Sequence, residues 1–127
     1  MNKRITVSTD KAPPIAGPYS QGIRSGDFLF ISGQLPIDMA TGEYPDTVGE
    51  LTRCCLQNLD AIAVEAGTSL QNAVKLTVFL TKMDDFLEMN AAYADFFKAS
   101  PPARTTIAVA GLPKNAPMEM EAICAFE

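Results

Sequence analysis

Six short stretches of the chain are rich in β-branched and aromatic residues, a composition typical of strands. A turn at Ser25-Gly26-Asp27 joins two of them, because glycine and aspartate tolerate the positive φ of tight turns. The predicted strands are residues 5–9, two stretches within 19–36, residues 73–81, a stretch that opens at Arg104, and residues 118–126.

Two other segments repeat apolar residues every three or four positions, which is the spacing of one helical face. The first helix follows a capping-box pattern, Thr47 with Glu50, and Gly67 is its natural stop. The second starts near Asp84 or Asp85 and ends before Pro101, because proline cannot continue a helix. The predicted apolar stripes are Val48, Leu51, Cys55, Leu59 and Ile62 in the first helix, and Phe86, Met89, Tyr93, Phe96 and Phe97 in the second.

The predicted order is β-β-β-α-β-α-β-β without a linker or internal repeat, so residues 1–127 are expected to form one domain. Two helices can cover one face of a sheet, which predicts an α+β fold with a mixed sheet in two layers. The strands are nevertheless apolar on both faces; in the last one, for example, Met118 and Cys124 oppose Ile123 and Ala125. We therefore expect another subunit to cover the second face.

Composition narrows the class of protein further. The chain is 47% hydrophobic, enough for a core, and no apolar run reaches the roughly 18–20 residues of a membrane span. The three cysteines do not make a disulfide framework and the first ten residues lack a hydrophobic signal region, which together predict a cytoplasmic protein. The formal net charge of −5, without a large basic cluster, argues against a nucleic-acid surface.

Histidine is absent from the sequence. The chain therefore lacks the usual acid–base residue near neutral pH and the commonest metal ligand. The three cysteines, at 54, 55 and 124, do not have zinc-binding spacing. We expect chemistry without a metal, based on carboxylates, arginine, tyrosine, hydroxyls, backbone groups or water.

Arg104 is a charged residue at the start of a strand that is otherwise apolar. It opens an apolar strand directly after two prolines, and the only acidic residue within ten positions is Asp95. Arg104 either caps carbonyls at the end of the second helix, pairs with an acidic neighbour, or binds a small carboxylate through its planar guanidinium. The pattern alone leaves these alternatives open.

Several uncharged polar residues are candidates for a ligand site, each with a structural alternative. Tyr19 lies in a loop, where lining a site and packing are equally expected. Ser32 and Gly33 end a strand, and Gly33 marks either a turn or a place where a ligand approaches the backbone. Asn90 lies beside the apolar stripe of the second helix, where asparagine more often satisfies backbone groups.

Two glutamates are candidates for acid–base chemistry. Glu119 and Glu121 are two residues apart and so share one strand face with Ile123 and Ala125. Each is by default a solvated charge, although a carboxylate in a half-buried strand can also position water or relay a proton. Spacing does not choose between them.

Four segments together resemble the YjgF/RidA family of reactive-intermediate deaminases over almost the whole chain. The most specific pairs Pro-Ala-Arg with Met-Glu-Met at a set interval. The segments are GPYSQGI (17–23), ISGQLPIDMATGE (31–43), LTVFLTKMDDFLEMNAAYADFF (76–97) and PPARTTIAVAGLPKNAPMEMEA (101–122). This resemblance implies a chorismate-mutase-like fold and a homotrimer with ligand clefts between subunits.

The resemblance also implies an activity: hydrolysis of 2-imino acids and their enamines, such as 2-iminobutanoate and 2-iminopropanoate, to 2-oxo acids and ammonia without a cofactor. It implies that Arg104 binds the substrate carboxylate and that Glu119 positions the attacking water. The other implied ligand-contact or cleft-lining residues are Tyr19, Ser32, Gly33, Asn90 and Thr106, with backbone contacts at Gly33 and Thr106.

Thr106 is a visible departure, because some family members carry cysteine at this position. A thiol-based modification is therefore excluded here, although a backbone contact is not.

Two other functions use the same residues. A non-catalytic trimer that senses 2-oxo acids or amino-acid metabolites would also need Arg104, although Glu119 beside a bound carboxylate favours hydrolysis. A translation-inhibiting endoribonuclease, an activity ascribed to some relatives, is disfavoured by the acidic balance and the lack of histidine.

Overall fold

The computed structural model describes residues 3–127, which form one six-stranded mixed sheet and two α-helices. Across the sheet the strand order is β1-β2-β3-β6-β4-β5, and all neighbours are antiparallel except the parallel pair β4 and β5. The predicted element order and the α+β class are confirmed. The elements are β1 (Arg4–Val7), β2 (Gly22–Ser25), β3 (Phe28–Gln34), α1 (Val48–Ala66), β4 (Ala73–Leu80), α2 (Phe86–Phe96), β5 (Ala103–Ala108) and β6 (Met118–Ala125).

Helix α1 begins and ends at the predicted caps. The Thr47 hydroxyl accepts a hydrogen bond from the Glu50 amide and donates one to the Glu50 carboxylate. At the other end Gly67 has φ of 99°, a left-handed conformation that glycine adopts without strain. Neither helix within residues 3–127 is long and apolar enough to cross a membrane.

The largest differences from the predicted element boundaries are in the first strand and the second helix. The first strand ends at Val7 instead of residue 9, and the backbone of Thr9 forms hydrogen bonds with the Gln21 side chain instead of a neighbouring strand. The second helix begins at Phe86, after a 3-10 turn at residues 83–85, and ends at Phe96. It ends before the prolines because Phe97 leaves the helical conformation and turns into the core.

The hydrophobic core lies between the two helices and one face of the sheet. Alternate residues of β3 and β6, such as Leu29 and Met120, point into it and meet the stripe of α1 that includes Leu59. The predicted stripes are confirmed, with the end positions Val48, Phe86 and Phe96 only partly buried. The fully buried members are Cys55, Leu59, Ile62 and Met89.

Large apolar side chains also lie on the opposite face, which no helix covers. Phe28 and Phe30 on β3 are 43% and 46% exposed, and Ile107 on β5 is 41% exposed. The expectation that the strands are apolar on both faces is therefore confirmed. Coverage of this face by another subunit stays a prediction.

Leu59→Ala tests the position of the core. Removing a fully buried leucine between α1 and the sheet should lower the free energy of unfolding by about 2–5 kcal/mol, because a cavity remains. Leu87→Ala is the matched control, since Leu87 is 79% exposed on α2 and should change stability by less than about 0.5 kcal/mol. Urea unfolding followed by circular dichroism measures both, and equal losses would contradict this description of the core.

Candidate functional site

The register of the sheet separates the two charged site residues onto opposite faces. In the β4–β5 pair, Arg104 lies opposite Leu76, whose side chain points into the core under the helices. In the β4–β6 pair, Glu119 lies opposite Phe79, which has the other parity. Because successive side chains of a strand point to opposite faces, Arg104 is on the helix side and Glu119 on the uncovered side.

Glu119 lies next to an irregularity in β3. The register of β3 against β6 shifts between Ile31 and Gln34, and Gly33 lies within this shift. A Cβ atom at Gly33 would clash with the Glu119 carboxylate, approaching its carboxyl carbon to 2.8 Å. Gly33 is therefore glycine because the carboxylate fills the space that a side chain would need.

Glu119 and Gly33 line a small cavity of about 80 Å³, here called the Glu119 pocket. The wall is mixed, and its other polar residues are Tyr19, Gln21, Gln34 and Lys114. The apolar wall residues are Pro13, Pro14, Ile15, Ala16, Leu35, Ile37 and Pro113. This arrangement places a small cavity with both polar and apolar walls beside one carboxyl.

Two buried amides hold the walls of this pocket. The Gln21 side chain donates to the Thr9 and Pro13 carbonyls, and the Asn58 side chain donates to the carbonyls of Leu35 and Ile37. Sequence reasoning missed both residues. The available signal was an asparagine beside the apolar stripe of α1, although spacing does not reveal which carbonyls it reaches.

A strained turn closes the pocket next to Glu119. Lys114 and Asn115 both have φ of 55°, a left-handed conformation that asparagine tolerates better than lysine does. The Tyr44 hydroxyl donates to the Lys114 carbonyl at 3.0 Å and so helps to fix this turn. Burial raises the pKa of Tyr44, and nearby Cys55 and Glu119 add to the shift.

Tyr19 and Ser32 lie together on the uncovered face. Both line an open groove of about 600 Å³, with Arg4 and Phe30 among its other residues. The Ser32 hydroxyl donates to the Ser20 carbonyl at 2.6 Å, which ties β3 to the loop that carries Tyr19. Tyr19 is 46% exposed, so its side chain lines a surface and is not core packing.

The structure distinguishes the two glutamates that spacing left equivalent. Glu119 is half-buried in its pocket, whereas Glu121 is exposed and lines a separate depression with Lys75 and Thr77. Burial raises the pKa of the Glu119 carboxyl, and the charge of Glu121 raises it further. A carboxyl shifted in this direction exchanges protons closer to neutral pH, as general acid–base work requires.

Arg104 is surrounded by aromatic rings. Its guanidinium carbon lies 4.7 Å from the ring centroid of Tyr93 and 5.7 Å from that of Phe86. Within residues 3–127 its guanidinium makes no hydrogen bond or ion pair. Asp95 instead lines a cleft on the outer surface of the helices with Arg53. Neither helix capping nor pairing with an acidic neighbour therefore describes Arg104.

Three oxygens in this region are buried without a hydrogen-bond partner: Asn90 Oδ1, Tyr93 Oη and Thr106 Oγ1. Asn90 and Tyr93 share one face of α2, since they are three residues apart. Thr106 is two residues after Arg104 and points to the same side of β5. Burial raises the pKa of Tyr93 to about 12 although the charge of Arg104 lowers it, so the phenol stays protonated at neutral pH.

Thr106 lies on β5 and is paired with Val78 of β4. Its hydroxyl oxygen is buried, whereas β5 is an edge strand of the sheet. One side of an edge strand presents backbone groups that are not paired within the sheet. This placement is compatible with the backbone contact that the family resemblance implies.

Potential metal ligands do not converge in the described part of the chain. Among residues 3–127, no three His, Cys, Asp or Glu side chains form a group that could hold a metal ion. The three cysteines are free and buried, and burial is the largest cause of the raised pKa of each thiol. The expectation of chemistry without a metal or cofactor stays a prediction.

Comparison with known proteins decides the family. A family model described as Endoribonuclease L-PSP matches residues 9–126. The chain belongs to the YjgF/RidA family. It is 51% identical over 118 residues to a RutC family protein of Sinorhizobium fredii, covering 92% of this chain and 94% of that protein. It is 42% identical over 120 residues to TdcF of Escherichia coli, covering 92% of this chain and 93% of that protein. That relative is named provisionally as a reactive intermediate deaminase.

Solved structures of family members have the same fold. The crystal structure of Escherichia coli TdcF with bound serine matches with a TM-score of 0.91 at 41% identity, covering 95% of this chain and 98% of that one. The structure of the Escherichia coli YjgF gene product matches with a TM-score of 0.92 at 40% identity, covering 97% and 99%. The family and fold implied by the sequence motifs are both confirmed.

The raised pKa of Glu119 can be measured directly. We expect carboxyl ¹³C NMR titration to place it above the ordinary range of a glutamate, and Glu121→Gln to lower it by removing the neighbouring charge. Glu65→Gln, on the exposed side of α1, is the matched control and should leave the pKa of Glu119 unchanged. An unchanged value in Glu121→Gln would contradict the assigned cause.

The sign of the effect on stability follows from this direction of shift. Because the folded-state pKa exceeds the unfolded-state pKa, the folded chain binds more protons between the two values. The contribution of Glu119 to the free energy of unfolding is therefore largest below the unfolded-state pKa and is lost as pH rises through the folded-state pKa.

Proposed function

We propose that this protein hydrolyses 2-imino acids and their enamine tautomers, among them 2-iminobutanoate and 2-iminopropanoate, to 2-oxo acids and ammonia. The observation that carries this proposal is the pair Arg104 and Glu119. The first is a guanidinium whose donors are not used within the described chain, and the second is a half-buried carboxyl with a raised pKa. The bound serine in the TdcF structure supports a site for small amino-acid-like molecules.

The proposed site needs two chains. Arg104 and Glu119 lie on opposite faces of one sheet, so a single chain does not bring both groups to one small substrate. A second copy packed on the uncovered face, with the Arg104 end of its edge strand at the Glu119 pocket, would complete the site. Three such contacts around a three-fold axis give a homotrimer with three equivalent clefts, which covers the exposed apolar residues as well.

Arg104 would bind the substrate carboxylate through two parallel N–H donors. This bidentate geometry fixes the plane of the imino acid as well as its position. Backbone groups at Gly33 and Thr106 would add contacts, while Tyr19, Ser32 and Asn90 complete the cleft wall. Holding the substrate and a water molecule in one orientation supplies most of the acceleration, because the protonated imine carbon is already electrophilic.

Glu119 would move the protons of the reaction. As water attacks the imine carbon, its oxygen forms the new C–O bond, one of its protons passes to the carboxylate, and the C=N π electrons move to nitrogen. Glu119 then returns the proton to the amine nitrogen of the tetrahedral carbinolamine. The C–N bond breaks and its electron pair leaves on ammonia, while the Glu119 carboxylate takes the hydroxyl proton as the C=O bond of the 2-oxo acid forms. Glu119 then gives this proton to the ammonia, which leaves as ammonium. A carboxyl of raised pKa suits both directions of transfer, and no histidine is needed.

Arg104→Ala tests the proposal. In a coupled assay with a threonine dehydratase, the wild-type protein should accelerate the decay of 2-iminobutanoate. The alanine variant should lose about 2–5 kcal/mol of transition-state stabilisation, tens- to thousands-fold in rate. Arg104→Lys should recover little, because lysine lacks the planar fork.

The matched control is Arg53→Ala, which removes an arginine of α1 that lines the outer helix surface and should keep the rate. If Arg104→Ala accelerated imine decay as fast as the wild-type protein does, Arg104 would not be part of the active site. A wild-type protein that binds 2-oxobutanoate but does not accelerate imine decay would indicate a sensor and not an enzyme.

The requirement for two chains predicts complementation. Arg104→Ala and Glu119→Gln chains should each be inactive alone, yet active when co-expressed as mixed oligomers. In randomly mixed trimers about a quarter of the clefts combine an intact Arg104 with an intact Glu119 from a neighbouring chain. Size exclusion with light scattering should give the mass of a trimer. A monomer mass at micromolar concentration, or inactive mixed oligomers, would contradict the shared site.

A further inference from the structure

Aromatic rings, and not charged groups, contact the guanidinium of Arg104. Tyr93 and Phe86 lie two helical turns apart on one face of α2, and both ring centroids are within 6 Å of the guanidinium carbon. Tyr93 is buried and packs 4.9 Å from the ring of Phe97, which contacts Phe96 in turn. The ring nearest Arg104 is therefore fixed by the core beneath it.

Contact with rings leaves the binding capacity of an arginine intact. A carboxylate partner would use N–H donors of the guanidinium and offset its charge, and a ligand carboxylate would then have to compete with it. The face of an aromatic ring attracts the cation through its quadrupole and takes no N–H donor. Arg104 can thus be held in place while all five donors remain free for a ligand.

The ring of Tyr93, and not its hydroxyl, makes this contact. The hydroxyl oxygen is buried and has no hydrogen-bond partner, so it binds neither Arg104 nor another residue. Removing it breaks no hydrogen bond of the described chain. Phenylalanine at this position would keep the ring face, whereas leucine would keep much of the apolar volume without the quadrupole.

We propose that Tyr93 is a positioning residue, whose ring face, supported by Phe86, holds the Arg104 guanidinium ready for a ligand carboxylate. The identity of the ligand as a small carboxylate rests on the proposed function. The positioning itself is a property of the ligand-free chain, so the two statements can fail separately.

The first test measures Arg104 without a ligand. In the wild-type protein the Arg104 Nε–Hε NMR signal should be displaced by the ring current of Tyr93. Tyr93→Phe should keep this displacement and Tyr93→Leu should remove most of it. Phe126→Leu is the matched control, because it removes a ring that lies under the guanidinium of Arg24 and leaves the ring under Arg104 in place. A signal unchanged in Tyr93→Leu would overturn the positioning role, whatever the protein binds.

The second test uses calorimetry to measure the affinity of each variant for 2-oxobutanoate. Tyr93→Leu should weaken binding by about three- to thirtyfold, whereas Tyr93→Phe and Phe126→Leu should stay within about twofold of wild type. In the Arg104→Ala background, Tyr93→Leu should cause no further loss, because its effect passes through Arg104. If Tyr93→Leu weakened binding as much in the Arg104→Ala protein as in the wild type, its effect would be a general one on packing, and the proposal would be overturned.

The outcomes separate this inference from the proposed function. A wild-type protein with the displaced Arg104 signal but no affinity for 2-oxobutanoate and no imine hydrolysis would refute the proposed function and leave the positioning role standing. A wild-type protein that hydrolyses imines, with Tyr93→Leu equal to it in signal and affinity, would refute the positioning role alone.

Discussion

The alternation of side chains across a single sheet is the constraint on which the proposed site depends. Residues of one parity on β4, β5 and β6 build the core with the helices, and residues of the other parity remain uncovered. Arg104 has the first parity and Glu119 has the second. A change of register by one residue would exchange the two faces and destroy the core, so stability and the placement of both charges are coupled. The proposed chemistry uses both groups, and this coupling is the reason that the proposal includes a neighbouring copy.

The proposed site has two halves, one around Glu119 and one around Arg104, and the environment of the charged group differs between them. Around Glu119, burial and a like charge raise the pKa of the carboxyl, and Gly33 leaves the space that the carboxylate occupies. Around Arg104, aromatic rings hold a cation without neutralising it. The first half suits proton transfer and the second suits anion binding. A protein without histidine can therefore combine acid–base chemistry with substrate capture, provided that assembly brings the halves together.

The walls of the site depend on polar groups that do no chemistry themselves. Gln21 and Asn58 are buried amides that satisfy backbone carbonyls in the loops around the Glu119 pocket, and Tyr44 does the same for the turn at Lys114. Loops of irregular backbone need such partners because buried unsatisfied carbonyls are costly. Their role is to keep the loops in one conformation, so that the small pocket beside Glu119 retains its shape.

Local patterns were sufficient to predict the element order, the caps of α1, the apolar stripes and the presence of apolar residues on both sheet faces. Each of these depends on residues a few positions apart, where propensity and periodicity act directly. The motifs around Arg104 and Glu119 likewise led to the family and to both residues as candidates. Spacing did not separate Glu119 from Glu121, and it treated Tyr93 as a core residue only. Tertiary structure decided these points, because contact with Gly33 depends on how β3 pairs with β6, and contact with Tyr93 depends on how α2 packs beside β5. The opposite placement of Arg104 and Glu119 also follows from pairing between strands, which one-dimensional spacing does not encode.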